Sequence, residues 1–182
     1  PQFAVGHARA HAAQHDREIR VRDIRLDLLE RAAREERRGC AYEGTQAAIR
    51  EPRGNARAFA HAMVVAGADL VFGSGPHIIR GIEWYRGRLI AYSLGNLAGT
   101  HTLSTSGSLA NSALLRMTLD ANGDFEAGSI VPLKLVGGGT PVFDRTGASI
   151  ARIRALSYED FVGRATRIAS SGRLAPPRPG TF

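Results

Sequence analysis

Apolar and polar residues alternate along this chain in several distinct rhythms, and each rhythm predicts an element. Between Asp16 and Arg38, Val21, Ile24, Leu28 and Ala32 recur at helical spacing, with Leu29 and Ala33 alongside. This predicts one amphipathic helix with a charged, solvated outer face. Residues 39–54 carry Gly and Pro without periodicity and predict a loop. Asn55 is a suitable N-cap for a second helix, with Ala58, Phe59, Ala62, Met63 and Ala66 as its apolar face and Gly67 as its stop. Asp69 to Phe72 has the texture of a short buried strand, and Gly73-Ser74-Gly75-Pro76 breaks it.

Beyond this point the period shortens to two. Residues 81–85 and 88–93 flank Arg86-Gly87, the signature of a tight hairpin. Residues 112–119 and 125–135 flank Ala121-Asn122-Gly123-Asp124, a second hairpin, closed off by Gly137-Gly138-Gly139. Residues 147–156 predict a short helix with Ile150 and Ile153 on one side, and the tail is Pro-rich and extended. The class expected is α/β (α+β): a helix–strand unit followed by β-hairpins in a layered sheet. In open α/β sheets ligands bind beyond the C-terminal ends of the strands, which directs attention to the loop carrying His77.

Composition narrows the function. The apolar fraction of 43% supports a packed core. The net charge is +7 and the pI about 10.6, and every basic residue except Lys134 is arginine. The charge is dispersed, with no basic stripe interleaved with aromatics, which argues against nucleic acid as a partner. Cys40 is the single cysteine, so neither an internal disulfide nor a cysteine-based zinc site can form. No run of about 18 apolar residues exists to span a membrane. The N-terminus shows no signal-peptide pattern, and because it begins with Pro the chain is expected to be cut from something longer or processed.

The stretch "GADLVFGSGPHIIRGIEWYRGRLIAYSLGN", residues 67–96, closely resembles a block of CapA-type proteins, the poly-γ-glutamate capsule biosynthesis family. The features that match are Ala66 to Val71, then Gly73-x-x-Pro76-His77, Gly81-Ile82-Glu83 and the ending at Asn96. Weaker similarity extends the resemblance over residues 52–161. It implies a calcineurin-like metallophosphoesterase fold, here a partial sandwich. It also implies a divalent metal (Mn, Fe or Zn), a bacterial cell-envelope setting and the capsule or polyglutamate synthesis machinery as partner. If active, the protein would be a metal-dependent phosphoesterase-type hydrolase. The alternatives are a non-catalytic binding or assembly component, or an inactive fragment.

The resemblance assigns roles residue by residue. His77 is the expected metal ligand and catalytic group. Asn96 is expected either to orient the His77 loop or a metal-bound water, or to make an Asx turn. Arg80 is expected to meet a phosphate or polyanionic substrate, or else to be a surface arginine. Two departures stand out. Ser74 occupies a position where the family usually has His, and serine is the poorer metal ligand. Residues 1–51 lack the family's early Asp, Gly-Asp, Asn-His and His-x-Gly motifs, so a C-terminal half or a degenerate member is expected. The implied division is an atypical, helical or poorly ordered segment over 1–51, the CapA-like part over 52–161 and a tail over 162–182.

The remaining candidates have plainer expectations. Glu83 should be a solvated hairpin carboxylate, since it alternates with Ile82 and Trp84. His61 should be a packing residue and Asp69 a cap or turn residue. His7, His11 and His15 should lie on an exposed helix, and His101 in a flexible loop. The apolar surface of the hairpin needs a neighbouring sheet, which residues 1–54 do not obviously supply.

Overall fold

A computed structural model describes residues 2–6 as backbone, together with 56–74, 77–99 and 103–178. The predicted helix at 16–38, Cys40, Asn55, the Gly75-Pro76 step and His7, His11, His15 and His101 lie outside the described residues. Residues 2–6 are a strand, β1 (Gln2–Gly6), in a segment expected to be helical or poorly ordered.

Helix α1 (Ala56–Val65) buries Ala56, Ala60, Met63 and Val64. Of the predicted face, Met63 is buried, while Phe59 and Ala62 pack against the same cluster from its margin. Gly67 ends the helix as expected. Its φ is 96°, its N–H donates to the Val64 carbonyl at 3.0 Å, and the Ala68 N–H reaches back to the Met63 carbonyl at 3.0 Å. This pair of bonds is a Schellman cap, and its left-handed corner is why glycine sits there.

The chain then enters β2 (Leu70–Ser74), crosses to β3 (Ile82–Tyr85) and returns as β4 (Arg88–Ala91). These strands and β1 form one mixed sheet in the order β1-β2-β4-β3. β2 and β4 run parallel, and β1 and β3 are antiparallel to their neighbours. Arg86 and Gly87 have φ of 49° and 78°. Positive φ at both central residues is the turn that matches strand twist in a two-residue hairpin.

A 3-10 turn at Gly107–Ala110 leads into the second sheet: β5 (Asn111–Leu119), β6 (Phe125–Val136) and β7 (Thr140–Phe143), all antiparallel. Helix α2 (Ala148–Asp160) follows, then a small hairpin of β8 (Arg167–Ile168) and β9 (Leu174–Ala175). Helix α2 runs four residues past its expected end because Leu156 and Ser157 are buried. The Ser157 hydroxyl donates to the Ile153 carbonyl at 2.7 Å and accepts the Ile82 N–H at 2.8 Å, tying helix to strand.

Strand β4 shows how the layers stack. Leu89 and Ala91 face a core shared with Ile130, Ile153 and Leu156 from the second sheet and α2. Ile90 and Tyr92 face the opposite way, into a second core with Ala60, Met63 and Phe161. Leu89 and Ile90 are both fully buried, although neighbouring strand residues point to opposite faces. The first sheet is therefore covered on both sides, by α1 on one and by the second sheet with α2 on the other. The hairpin's apolar surface finds its neighbour within the same chain. Among the described residues the arrangement is a mixed α/β fold of several sheets and two helices, as the class expected.

Candidate functional site

The loop leaving β2 is drawn onto the corner after β4. Ile79 forms a bridge with Leu94, and the Arg80 N–H donates to the Ser93 carbonyl at 2.8 Å. His77 thereby comes to lie beside Asn96, with its Nδ1 2.7 Å from Asn96 Oδ1. The Asn96 Nδ2 donates in return to the His77 carbonyl, at 3.4 Å. This second bond fixes which way the amide points. With the amide oxygen facing the ring, His77 Nδ1 is the donor, and in the neutral ring Nε2 keeps a lone pair.

His77 also adopts φ 57°, a left-handed conformation uncommon for a residue with a side chain. Both residues line a cleft of about 590 Å³ whose floor is apolar, from Leu70, Phe72, Leu94, Leu115 and Met117. Ser74 stands at the same rim. His77 and Ser74 are exposed and Asn96 is half-buried.

Residues 43–100 match the family of bacterial capsule synthesis protein PGA_cap. That span holds α1, the first sheet from β2 to β4, His77 and Asn96. Over this span the chain is similar to the CapA family. The PGA biosynthesis protein CapA of Bacillus subtilis (strain 168) is 38% identical over 73 residues, which is 40% of this chain and 18% of that protein. The uncharacterized proteins y4sH and y4uA of Sinorhizobium fredii (strain NBRC 101917 / NGR234) are each 52% identical over 46 residues, 25% of this chain and 10% of theirs. The chain thus spans under a fifth of the length of these relatives.

Within the CapA-type segment, Arg80 is not a surface arginine. It is 5% exposed and does not line the His77 cleft. Its backbone belongs to the loop–corner junction, and its charge acts on Asp160 at the end of α2. Burial pushes the Asp160 carboxyl up, and the charges of Arg57, Arg80 and Arg152 only partly oppose this.

A divalent ion in a two-metal centre needs several His, Asp or Asn donors. Among the described residues, no group of three His, Cys, Asp or Glu is placed to share an ion. The cleft offers His77 Nε2 with its other nitrogen held by Asn96, which suits one ligand position and its supporting hydrogen bond. It does not make a whole centre from these residues alone.

A second polar cluster escaped the sequence reading. Glu83 is fully buried, not solvated. Its Oε2 accepts from the His61 Nε2 at 2.9 Å and the Tyr92 hydroxyl at 2.7 Å, and its Oε1 lies 3.3 Å from the Arg164 guanidinium. His61 stacks flat on Tyr85, ring centroids 3.7 Å apart, so it packs as expected and also pairs with a carboxylate. Burial alone would raise the Glu83 carboxyl. The donors from His61 and Tyr92 and the charges of His61 and Arg164 outweigh it, holding Glu83 below its ordinary value near 4.5.

The period-two alternation placed Glu83 on the correct face. The error lay in taking that face for solvent, when α1 covers it. The signal was available: Val71 and Ile90 sit on strands too apolar for an open face, and the preceding helix must lie over one of them.

Asp69 also has a partner beyond its turn. It lies 3.5 Å from Arg88, which bonds to the Gly123 carbonyl and sits 3.2 Å from Asp124 in the β5–β6 turn. No helix among the described residues is long and apolar enough to cross a membrane.

Proposed function

We propose that the chain serves bacterial capsule or cell-envelope polymer biosynthesis, as a CapA-type segment forming one wall of a calcineurin-like metallophosphoesterase cleft. The observation that carries this is the His77–Asn96 pair, which lies inside the span matched to the capsule synthesis family. Poly-γ-glutamate as the polymer, and its synthesis machinery as the partner, follow from the name of the Bacillus subtilis relative.

The residues at hand do the positioning. Asn96 holds the Nδ1 proton, so His77 presents an unshared pair at Nε2. The bridge between Ile79 and Leu94 fixes the loop that carries it. A divalent metal (Mn, Fe or Zn), where bound, would supply Lewis-acid polarisation of a phosphoryl oxygen and a more acidic water. His77 would be one of its ligands, and the others must come from outside the described residues. Because the described donors do not complete a centre, a binding or assembly role within the polymer-synthesis complex is the second reading. A substrate contact from Arg80 finds no support in the cleft.

Titration of the full chain with Mn²⁺ or Zn²⁺, followed on the His77 ring resonances and by elemental analysis, tests the site. Selective perturbation of His77, lost in His77→Ala, is the expected result. An unperturbed ring would remove His77 from any metal site. Metal-dependent turnover of a generic phosphodiester that vanishes in His77→Ala would make the chain an enzyme. A folded but inactive protein would favour the assembly role.

A further inference from the structure

We propose that the His77 cleft is a tail-binding site, taking the hydrocarbon chain of an amphiphile whose phosphate head sits at His77. The placement of the head rests on the function proposed for His77, whereas the placement of the tail rests on the lining of the cleft alone. Although 23% of the chain is charged, no Arg, Lys, Asp or Glu among the described residues lines this cleft. A hydrophilic substrate lying in it would give up water and find no partner over most of its length.

The polar and apolar parts of the lining are separated along the cleft. Ser74 ends β2 and stands with His77 and Asn96 at the mouth. Leu70 and Phe72, at alternate positions of the same strand, carry an apolar wall inward. β5 supplies the facing wall from Ala113, Leu115 and Met117, again at alternate positions. The Ala113 N–H donates to the Leu94 carbonyl at 3.0 Å, so this wall starts at the corner that carries Asn96. At the other end, Asp69 pairs with Arg88, which reaches the β5–β6 turn and holds the two strands together just beyond Leu70.

Leu70, Phe72, Leu115 and Met117 pack on the core from its margin and remain partly exposed, while Leu97 and Leu114 are 52% and 40% exposed. Apolar surface is therefore left open in the cleft. Covering it is favourable in proportion to its area, which a hydrocarbon chain exploits and a sugar does not. Met117 adapts its shape to a flexible occupant. The rim argues for an amphiphile over an apolar polypeptide. A polypeptide packed across the mouth would bury the Ser74 hydroxyl and His77 Nε2, which would each need a partner. A polar head leaves both at the water boundary.

The dimensions set the length of the tail. From Leu70 to Ser74 the strand advances about 13 Å, at about 3.3 Å per residue. Carbon–carbon bonds of about 1.5 Å laid in a zigzag advance about 1.3 Å each, so about ten carbons span the cleft. Its volume of about 590 Å³ is that of a small-ligand site.

Calorimetric titration of the full chain with heptyl, decyl and tetradecyl phosphate, each below its micelle concentration, tests the site. An open cleft covers about half of each methylene, so affinity should rise about twofold per carbon, about eightfold from heptyl to decyl, and then level off. Leu97→Gln/Leu114→Gln, at exposed positions of the lining, should lower the affinity for decyl phosphate about fivefold and flatten the rise. If the double variant fails to melt cooperatively, Leu97→Gln alone should lower it about twofold. Phe143→Gln, exposed but outside the cleft, should leave it unchanged. His77→Ala should weaken all three phosphates by one factor and keep the rise with chain length. An unchanged affinity in His77→Ala with the rise intact would overturn the head placement, and the metal-site reading with it, while supporting the tail site. Absence of binding, affinity independent of chain length, a rise continuing unbroken to tetradecyl, or an equal loss in Phe143→Gln would overturn the tail site and leave the reading of His77 standing.

Discussion

Two histidines in this chain each hold a side-chain oxygen at nearly the same distance, and they do opposite things. His77 meets Asn96 at 2.7 Å at the rim of a cleft, and His61 meets Glu83 at 2.9 Å inside the fold. In the first pair, a neutral amide fixes a tautomer and leaves Nε2 facing outward chemistry. In the second, a buried carboxylate gathers His61, Tyr92 and Arg164 around itself, and its energy goes into holding α1 to the sheet. Distance alone does not separate a site from a strut. What separates them is the charge of the partner, the water around it and whether a lone pair is left over.

The largest effect that would break this contrast lies at Glu83. Glu83→Ala leaves His61, Tyr92 and Arg164 without their common acceptor and should cost about 3 kcal/mol. Denaturant unfolding at neutral pH measures this, and a loss close to zero would mean that the cluster is not a strut. Acid should act on the same point. The Glu83 carboxyl is held below 4.5, so its contribution is complete above that pH and lost as pH falls through the lower folded value. Stability should therefore drop on acidification more steeply in the parent protein than in Glu83→Gln. Equal slopes would show that Glu83 is not part of the acid response.

A milder cut is Tyr92→Phe, which removes one of the donors to Glu83 Oε2 and should cost about 1 kcal/mol in the same unfolding experiment. On the other side of the comparison, His77→Ala should move stability by less than about 0.5 kcal/mol, because the ring is exposed and outside both cores. A thermal melt decides it, and a large loss would turn His77 into a second strut. The finest distinction is spectroscopic. Asn96→Ala should release the Nδ1 proton of His77 and shift its ring nitrogen signals toward the other tautomer, with the melt unchanged. Identical ring signals in parent and variant would show that Asn96 does not set the tautomer.

The sequence carried the parts of the fold that depend on neighbours in the chain. Gly67, Arg86-Gly87 and Asn122-Gly123 impose backbone conformations locally, and the helix cap and both hairpins stand where those residues place them. Parts that depend on distant partners were illegible. β8 and β9 are two residues each, too short for any period to show. β7 contains Pro141, which signals an edge or a break from sequence alone. Glu83 was assigned to solvent because alternation tells which face a residue takes, not what lies over it, and Arg80 was expected at a substrate or on the surface because nothing local signals its burial. His77 and Asn96, 19 residues apart, were named separately as site residues. Their meeting depends on the Ile79–Leu94 bridge, a long-range contact with no local signature.

Residues 164–166 run along the outer side of β3. The Trp84 N–H donates to the Arg164 carbonyl at 2.8 Å, and the Thr166 N–H donates to the Ile82 carbonyl at 3.3 Å. The main-chain groups of β3 that a visiting strand would seize are already satisfied by the same polypeptide. Copies of this protein therefore cannot zip together through that margin. Trimming the chain back to the end of α2 would reopen it, turning a sealed flank into a seed for fibrous self-association.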